Sequence, residues 1–361
     1  MKSKVMVLTG FNKPLEMQEI EVPTLEQGQI LVKINAAGVC GSDVHMWKGE
    51  DPRTPLPIIL GHEGVGTIED IKGKRESVDG ISLKIGDRIL WNRGITCGRC
   101  FACKVLNEPS LCKSRQVYGI NRGCSISPYL NGCYSEYIIL TAETDIFKIQ
   151  QDIDSAIMVS ASCSGATIAH GFDMVDISPG DTVLVQGPGP LGVYAVLFAK
   201  SKGASQIIVI GGSKGRLNLC KQFGATTVIN RRETTIAQRK EQILALTNGR
   251  GVDLAVEAVG AQGVVEEGIK LVRSGGTYLT TGYSQPAGVE KIDFFLEVVR
   301  KNIKIQGVWV SDTRHTWQAM HLVMKHKALF EKMITHRFSL EQANEALKVM
   351  DSKEALKAVL I

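Results

Sequence analysis

A chain of 361 residues, 44% hydrophobic and 22% charged, has the composition of a globular protein long enough for two hydrophobic cores. Its net charge of +5 comes from scattered basic residues, which argues against nucleic acid as a partner, and no apolar run approaches the ~20 residues of a membrane span. The opening MKSKVMVLTGFNKP lacks an apolar signal core, so a cytoplasmic protein is expected, in which nine cysteines read as thiols or metal ligands before disulfides.

Residues 1–163 hold short β-like runs such as GQILVKINAAGVC, GHEGVGTIEDI, GDRILW and GCYSEYIIL, separated by turn residues in the manner of a barrel-like domain. Two of these stretches carry chemistry. GVCGSDVHMWKG supplies Cys40, Ser42, Asp43 and His45, and GHEGVG supplies His62 and Glu63. A polar insert, KGKRESVDGISLKIG, reads as an exposed loop. CGRCFACKVLNEPSLC follows, with Cys97, Cys100, Cys103 and Cys112 in sixteen residues. Four thiolates close a tetrahedral zinc shell and leave no position for substrate, which marks a structural site. Further on, ASCSGAT supplies Cys163. Two sulfurs and one imidazole, from Cys40, Cys163 and His62, would leave a fourth zinc position open, although spacing alone does not join the three segments.

Near residue 180 the texture changes to strands alternating with helices, which implies a doubly wound parallel sheet. VLVQGPGPLG places Gly187, Gly189 and Gly192 in G-x-G-x-x-G register between a strand and a helix that opens with Pro190 and Leu191. The first glycine permits a tight turn, the second lets backbone approach a pyrophosphate, and the third allows close packing of helix on strand. At the end of the second strand, where an NAD site usually carries an acid, stands Gly211, followed by Gly212, Ser213, Lys214 and Arg216; Arg231 and Arg232 come after the third strand. Small residues and nearby cations suit the 2′-phosphate of NADP, so NADP is favoured over NAD. Helical patterns fill the last stretch, and KAVLI at the end is placed to rejoin the first domain.

Taken in order, GVCGSDVH, GHEGVG, GDRI, CGRCFAC…C, CSGAT, GPGPLG and ITHRFSLEQANEAL resemble the medium-chain, zinc-dependent alcohol dehydrogenase family over essentially the whole chain. The resemblance implies an α/β architecture. A GroES-like catalytic domain would span 1–163, with a zinc lobe at about 93–115, and be completed by 312–361. A Rossmann domain would span 164–311. It implies two zinc ions per chain: one held by Cys40, His62 and Cys163, with Glu63 beside it as a possible transient ligand, the other by Cys97, Cys100, Cys103 and Cys112. Asp43 would orient His62, Ser42 would take the substrate's proton, His45 would pass it on, and Thr167 would lie near the nicotinamide. The family's members interconvert alcohols or polyols with aldehydes or ketones using NAD(P), and are commonly homodimers or homotetramers. Two other outcomes compete: a zinc-independent quinone or enone reductase, whose branch lacks the Cys40–His62–Cys163 set, and a non-catalytic nucleotide-binding relative.

The chain departs from the family's pattern in places. Eight residues precede Cys112 where seven are usual, and NRGITCG and YGINRGCSISPYLNGCYSEY look like features of a subgroup. Cys124, Cys133 and Cys220 read as small buried residues. Trp47, Trp91, Tyr118 and Trp309 are candidates for shaping the substrate pocket.

Overall fold

The computed structural model describes residues 1–361, which divide into two compact units, 1–166 with 311–361, and 167–310. No helix is long and apolar enough to cross a membrane.

In the first unit the long strand Ile30–Val39 is the organiser. It pairs antiparallel with Gly64–Ile71, Tyr137–Leu140 and the C-terminal strand Lys357–Leu360. Arg88–Trp91 and Ile146–Lys148 extend the same sheet beyond Gly64–Ile71, and Ile334–Phe338 extends it beyond Lys357–Leu360. A smaller sheet joins Lys2–Leu8 to Glu16–Glu21 and Ile58–Ile59. Apolar side chains from both sheets, including Val5, Ile30, Val32, Ile89 and Ile139, share one core. The terminal KAVLI therefore closes the sheet that carries the N-terminal motifs. The insert between Ile71 and Asp87 is better anchored than its polarity suggests. Arg75 donates to Thr141 O at 3.2 Å and Thr144 O at 2.7 Å, and Leu83 is buried. A guanidinium can hold several carbonyls at once, so a charged segment is tied down without an apolar face.

The second unit is a six-stranded sheet in the spatial order Thr227–Asn230, Gln206–Gly211, Thr182–Gln186, Val252–Glu257, Val272–Thr280, Lys304–Gly307. All its neighbours are parallel. In sequence order this is 3-2-1-4-5-6, the doubly wound arrangement of dinucleotide-binding domains. Its central strands are buried along their length, as TVLVQ at 182–186 illustrates, because helices cover both faces of such a sheet.

Candidate metal and cofactor sites

Local folding rules place the first metal-ligand candidate. Cys40 sits at the N-cap of helix Gly41–Lys48 with an extended backbone, and Asp43, three residues on, accepts a hydrogen bond from Cys40 N at 2.8 Å. This is the reciprocal half of a capping box, so the helix start fixes the Cys40 backbone. The other oxygen of Asp43 accepts from Gly61 N at 3.3 Å and lies 3.2 Å from His62 Nδ1. One fully buried carboxylate thereby ties the Cys40 turn to the His62 segment.

The second segment is held by close backbone packing. A side chain at Gly61 would collide with Tyr134, one at Gly119 with Gly61 O, and one at Gly132 with Ile59 O. The stretch 118–134, which the sequence marked as unusual, thus forms the wall behind His62. Tyr118 is fully buried and accepts from Thr141 N at 2.8 Å. Trp91, also buried, lies against Gly64, whereas Trp47 donates to Lys13 O at 2.7 Å.

Cys163 ends a short 3-10 turn at 159–162 and brings its sulfur to 4.0 Å from Cys40 Sγ. Cys40, His62, Glu63 and Cys163 each offer a ligand atom, all within 4.8 Å of one another. Two sulfurs on one tetrahedral zinc stand about 3.8 Å apart, so the spacing fits. The electrostatics fit as well. A hydrogen bond shared with Cys163 pulls Cys40 well below the usual thiol range. The same contact, then burial, pushes Cys163 well up, with the Arg93 charge opposing. At His62 burial favours the neutral ring, but the Asp43 carboxylate outweighs it and lifts the pKa to about 9. His62 Nε2 and Glu63 Oε1 are buried without a hydrogen-bond partner. Crowded thiols and an orphaned ring nitrogen are what a divalent cation would relieve, displacing protons as it binds.

Around this cluster Ser42 is half-buried with Oγ 3.9 Å from Cys40 Sγ. His45, one helical turn further along, is a third exposed and sets Nδ1 2.5 Å from Glu50 Oε2. Lys357, which the sequence reading did not single out, is fully buried and ion-paired to Glu63 Oε2, and also donates to Val39 O at 3.2 Å. A Cβ at Gly38 would overlap Glu63 Oε2, so the glycine leaves room for the pair. A lysine in an otherwise apolar terminal strand was the available signal, since lysine is almost never fully buried unpaired.

The lobe thiols of Cys97, Cys100, Cys103 and Cys112 also lie within 4.8 Å of one another, and none forms a disulfide. Backbone N–H groups of Arg99 and Cys100 draw the Cys97 thiol down to about 6, while desolvation and the neighbouring thiols push Cys103 up to about 11. Between Cys103 and Cys112 the chain makes a left-handed turn at Asn107 (φ 53°) and a 3-10 turn at Pro109–Leu111. If the lobe holds the zinc that the family resemblance implies, Cys97→Ser should lower the metal content by one ion per chain and lose amide-exchange protection over about 93–115; metal analysis and hydrogen exchange check it.

In the second unit the three glycines do different work. Gly187 has φ 103°, and a side chain there would strike Val259 and Ala258 O. At Gly192 a Cβ would lie 1.8 Å from Gly187 O, whereas nothing stands within 4 Å of Gly189. The turn is sealed on its packing side and open at its middle glycine. Pro190 and Leu191 begin the helix Pro190–Ser201, whose N-terminal end is free to favour a phosphate. Glu257, fully buried, accepts from Val259 N and Gly260 N at 2.6 Å and from Gly282 N at 3.0 Å, which fixes the loops at the same end of the sheet.

Gly211 is small for a packing reason: a Cβ there would lie 2.4 Å from Pro188. Ser213 caps helix Lys214–Phe223. The Nε atoms of Arg231 and Arg232 stand 3.2 and 3.3 Å from where a Gly212 side chain would begin. Lys214 is engaged by Glu233 at 2.8 Å, and Arg216 lies on the first turn of its helix. Thr167 lies on helix Ser164–Asp173 and is nearly buried.

Comparisons with known proteins match both parts of the chain. Residues 26–151 fit a model described as an alcohol dehydrogenase GroES-like domain, and residues 190–325 one described as a zinc-binding dehydrogenase. The chain is 33% identical over 346 residues to 5-exo-hydroxycamphor dehydrogenase of Pseudomonas putida, covering 94% of each. It is 30% identical over 354 residues to L-threonine 3-dehydrogenase of Bacillus subtilis, covering 96% of this chain and 94% of that one. A crystal structure of an alcohol dehydrogenase from Thermotoga maritima superimposes with a TM-score of 0.97 at 48% identity, covering 100% of this chain and 99% of the other.

Proposed function

Because the chain belongs to the medium-chain, zinc-binding alcohol dehydrogenase family, an oxidoreductase family, we propose that it interconverts an alcohol and a carbonyl compound with NADP as the favoured nicotinamide cofactor. The observation that carries the reading is the convergence of Cys40, His62 and Cys163, distant in sequence, beside Glu63.

In this proposal Cys40, His62 and Cys163 hold the catalytic zinc and the four lobe cysteines a structural one. The catalytic metal, when bound, supplies Lewis-acid polarisation of the substrate oxygen. The cofactor supplies the hydride chemistry, and the chain its alignment. Asp43 holds the His62 ring in orientation through Nδ1. Ser42 Oγ receives the hydroxyl proton, and His45, three residues on and therefore on the same helix face, transfers it toward solvent. Glu50 Oε2 lies 2.5 Å from His45 Nδ1 and orients the ring. Gly187, Gly189, Pro190, Leu191 and Gly192 would cradle the pyrophosphate; Thr167 would lie near the nicotinamide.

Arg231 and Arg232 beside Gly212 support the NADP preference, with Gly211, Ser213, Lys214 and Arg216 completing the surroundings of the 2′-phosphate. Arg231→Ala/Arg232→Ala is expected to lower the NADP-to-NAD ratio of kcat/KM about 10- to 100-fold, read from steady-state kinetics with both cofactors. An unchanged ratio would reject the assignment.

Exposed Phe294, Phe295, Leu296 and Val299, near the edge strand Lys304–Gly307, support a homo-oligomer. Nine free thiols support a reducing, cytoplasmic setting. The reading is tested by metal analysis together with cofactor reduction across primary, secondary and polyhydric alcohols. About two zinc per chain with turnover supports it. Zinc and cofactor both bound, with no alcohol oxidised, would reject it.

A further inference from the structure

Beyond the cysteines and histidine, the part of the first unit around Cys163 contains a second chemical feature. Arg93 is 4% exposed, yet its Nε has no hydrogen-bond partner and its guanidinium makes no ion pair. It follows strand Arg88–Trp91, which packs against the turn at 159–162 preceding Cys163 and places the Trp91 ring against Gly64, next to Glu63. Its own backbone is held, because Tyr118 N donates to Arg93 O at 3.1 Å.

Arg115 lies alongside. Strand Gly94–Ile95 pairs with Gln116–Val117, and the Arg115 guanidinium covers Gly94 so closely that a Cβ there would stand 2.2 Å from its Nη2. Arg115 donates only weakly, to Ser311 O at 3.3 Å, and its Nε is buried without a partner. The buried hydroxyl of Ser311 also has none. Burial, then the charges of Arg93 and Arg53, lower Arg115 to about 9. Arg53 is itself satisfied by Asp51 at 2.5 Å. Asp312, which acts in the other direction on Arg115, already accepts from Arg314 N at 3.0 Å and lies 2.9 Å from His315 Nδ1.

Arginine does not escape such a position by losing its proton, as a lysine can. A desolvated guanidinium without a partner is costly, and its planar fork matches a carboxylate or phosphate. We propose that Arg93, with Arg115 beside it, binds an oxyanion carried by the substrate, so that the preferred alcohols are hydroxy acids or phosphorylated alcohols rather than neutral ones. This rests on the dehydrogenase reading above. Two other uses of the charge are distinguishable: offsetting the thiolates of either metal site, or binding the cofactor.

The test pairs substrates that differ in the anion alone: 3-hydroxybutyrate against its methyl ester, and glycerol 3-phosphate against glycerol, with the zinc-loaded enzyme. In parallel, succinate and inorganic phosphate are titrated calorimetrically into the enzyme–cofactor complex. At least one anionic member should exceed its neutral partner in kcat/KM by about 100-fold, and which pair does so identifies carboxylate or phosphate. Arg93→Met should collapse that ratio to within about 3-fold and weaken probe binding at least 30-fold, with zinc content unchanged. Arg93→Lys, which keeps the charge without the fork, should retain an intermediate preference. Ratios near one in the unaltered enzyme would overturn the proposal. So would an Arg93→Met variant that sheds zinc or loses cofactor affinity while keeping the ratio. If no alcohol is oxidised, the dehydrogenase reading fails, and the titration decides the anion site alone: succinate and phosphate both weaker than about 10 mM would reject it.

Discussion

Cys163→Ser and His62→Ala should each lower kcat/KM by about 10⁴-fold or more while changing cofactor affinity less than about 3-fold. The size of the effect follows from what is removed. The sulfurs of Cys40 and Cys163, 4.0 Å apart, and the His62 ring supply three donors from three separate segments, with only Glu63 within reach as a substitute. Losing one leaves too few ligands to hold a metal with an open position. The separation from cofactor binding follows from the fold, since all four residues belong to the unit formed by 1–166 and 311–361, and the glycine turn belongs to 167–310. Steady-state kinetics, cofactor titration and metal analysis of the same preparations check this. A variant that lost its zinc and kept its rate would refute metal-assisted chemistry.

The second large effect is on stability. Lys357→Met should destabilise the first unit by about 3–5 kcal/mol, or roughly 10 °C in melting temperature, because it strands the Glu63 carboxylate in a site with no solvent. Burial already pushes Glu63 upward in pKa, and the Lys357 charge is the strongest influence holding it down. The paired variant Lys357→Met/Glu63→Gln should recover most of the loss, since replacing both members of a buried pair is far cheaper than breaking it. Thermal and denaturant unfolding of the single and double variants measure the coupling. Equal destabilisation in both would show that Lys357 acts through packing instead.

Much of this was legible in the chain before folding. The glycine spacing at 187–192 and the strand–helix alternation around it specify a parallel sheet locally, and 3-2-1-4-5-6 order follows from that architecture. The four lobe cysteines lie within sixteen residues, so spacing alone groups them. Cys40, His62 and Cys163 are different. Nothing local joins them, and a family resemblance was needed to propose the set. The physical link is Asp43, whose carboxylate binds the backbone of Cys40 and faces His62, a contact between a helix start and a distant loop that no periodicity encodes. Lys357 and Arg93 were missed for a related reason. A charged residue usually reads as surface; Lys357 is buried because Gly38 leaves room for its pair with Glu63, and Arg93 because it follows a strand packed on the turn before Cys163. The role of 118–134 was hidden likewise, because glycines at 61, 119 and 132 work by letting backbones touch.

On the proposed reading, the chemistry belongs to Cys40, His62 and Cys163, and the denser cysteine cluster is structural. Anomalous diffraction at the zinc edge, from crystals of the native enzyme, distinguishes the two roles. Two peaks are expected per chain, one among Cys40, His62 and Cys163 and one among Cys97, Cys100, Cys103 and Cys112. A peak in the lobe with none at Cys40, His62 and Cys163, in enzyme that still oxidises alcohols, would rule out zinc chemistry at those three residues.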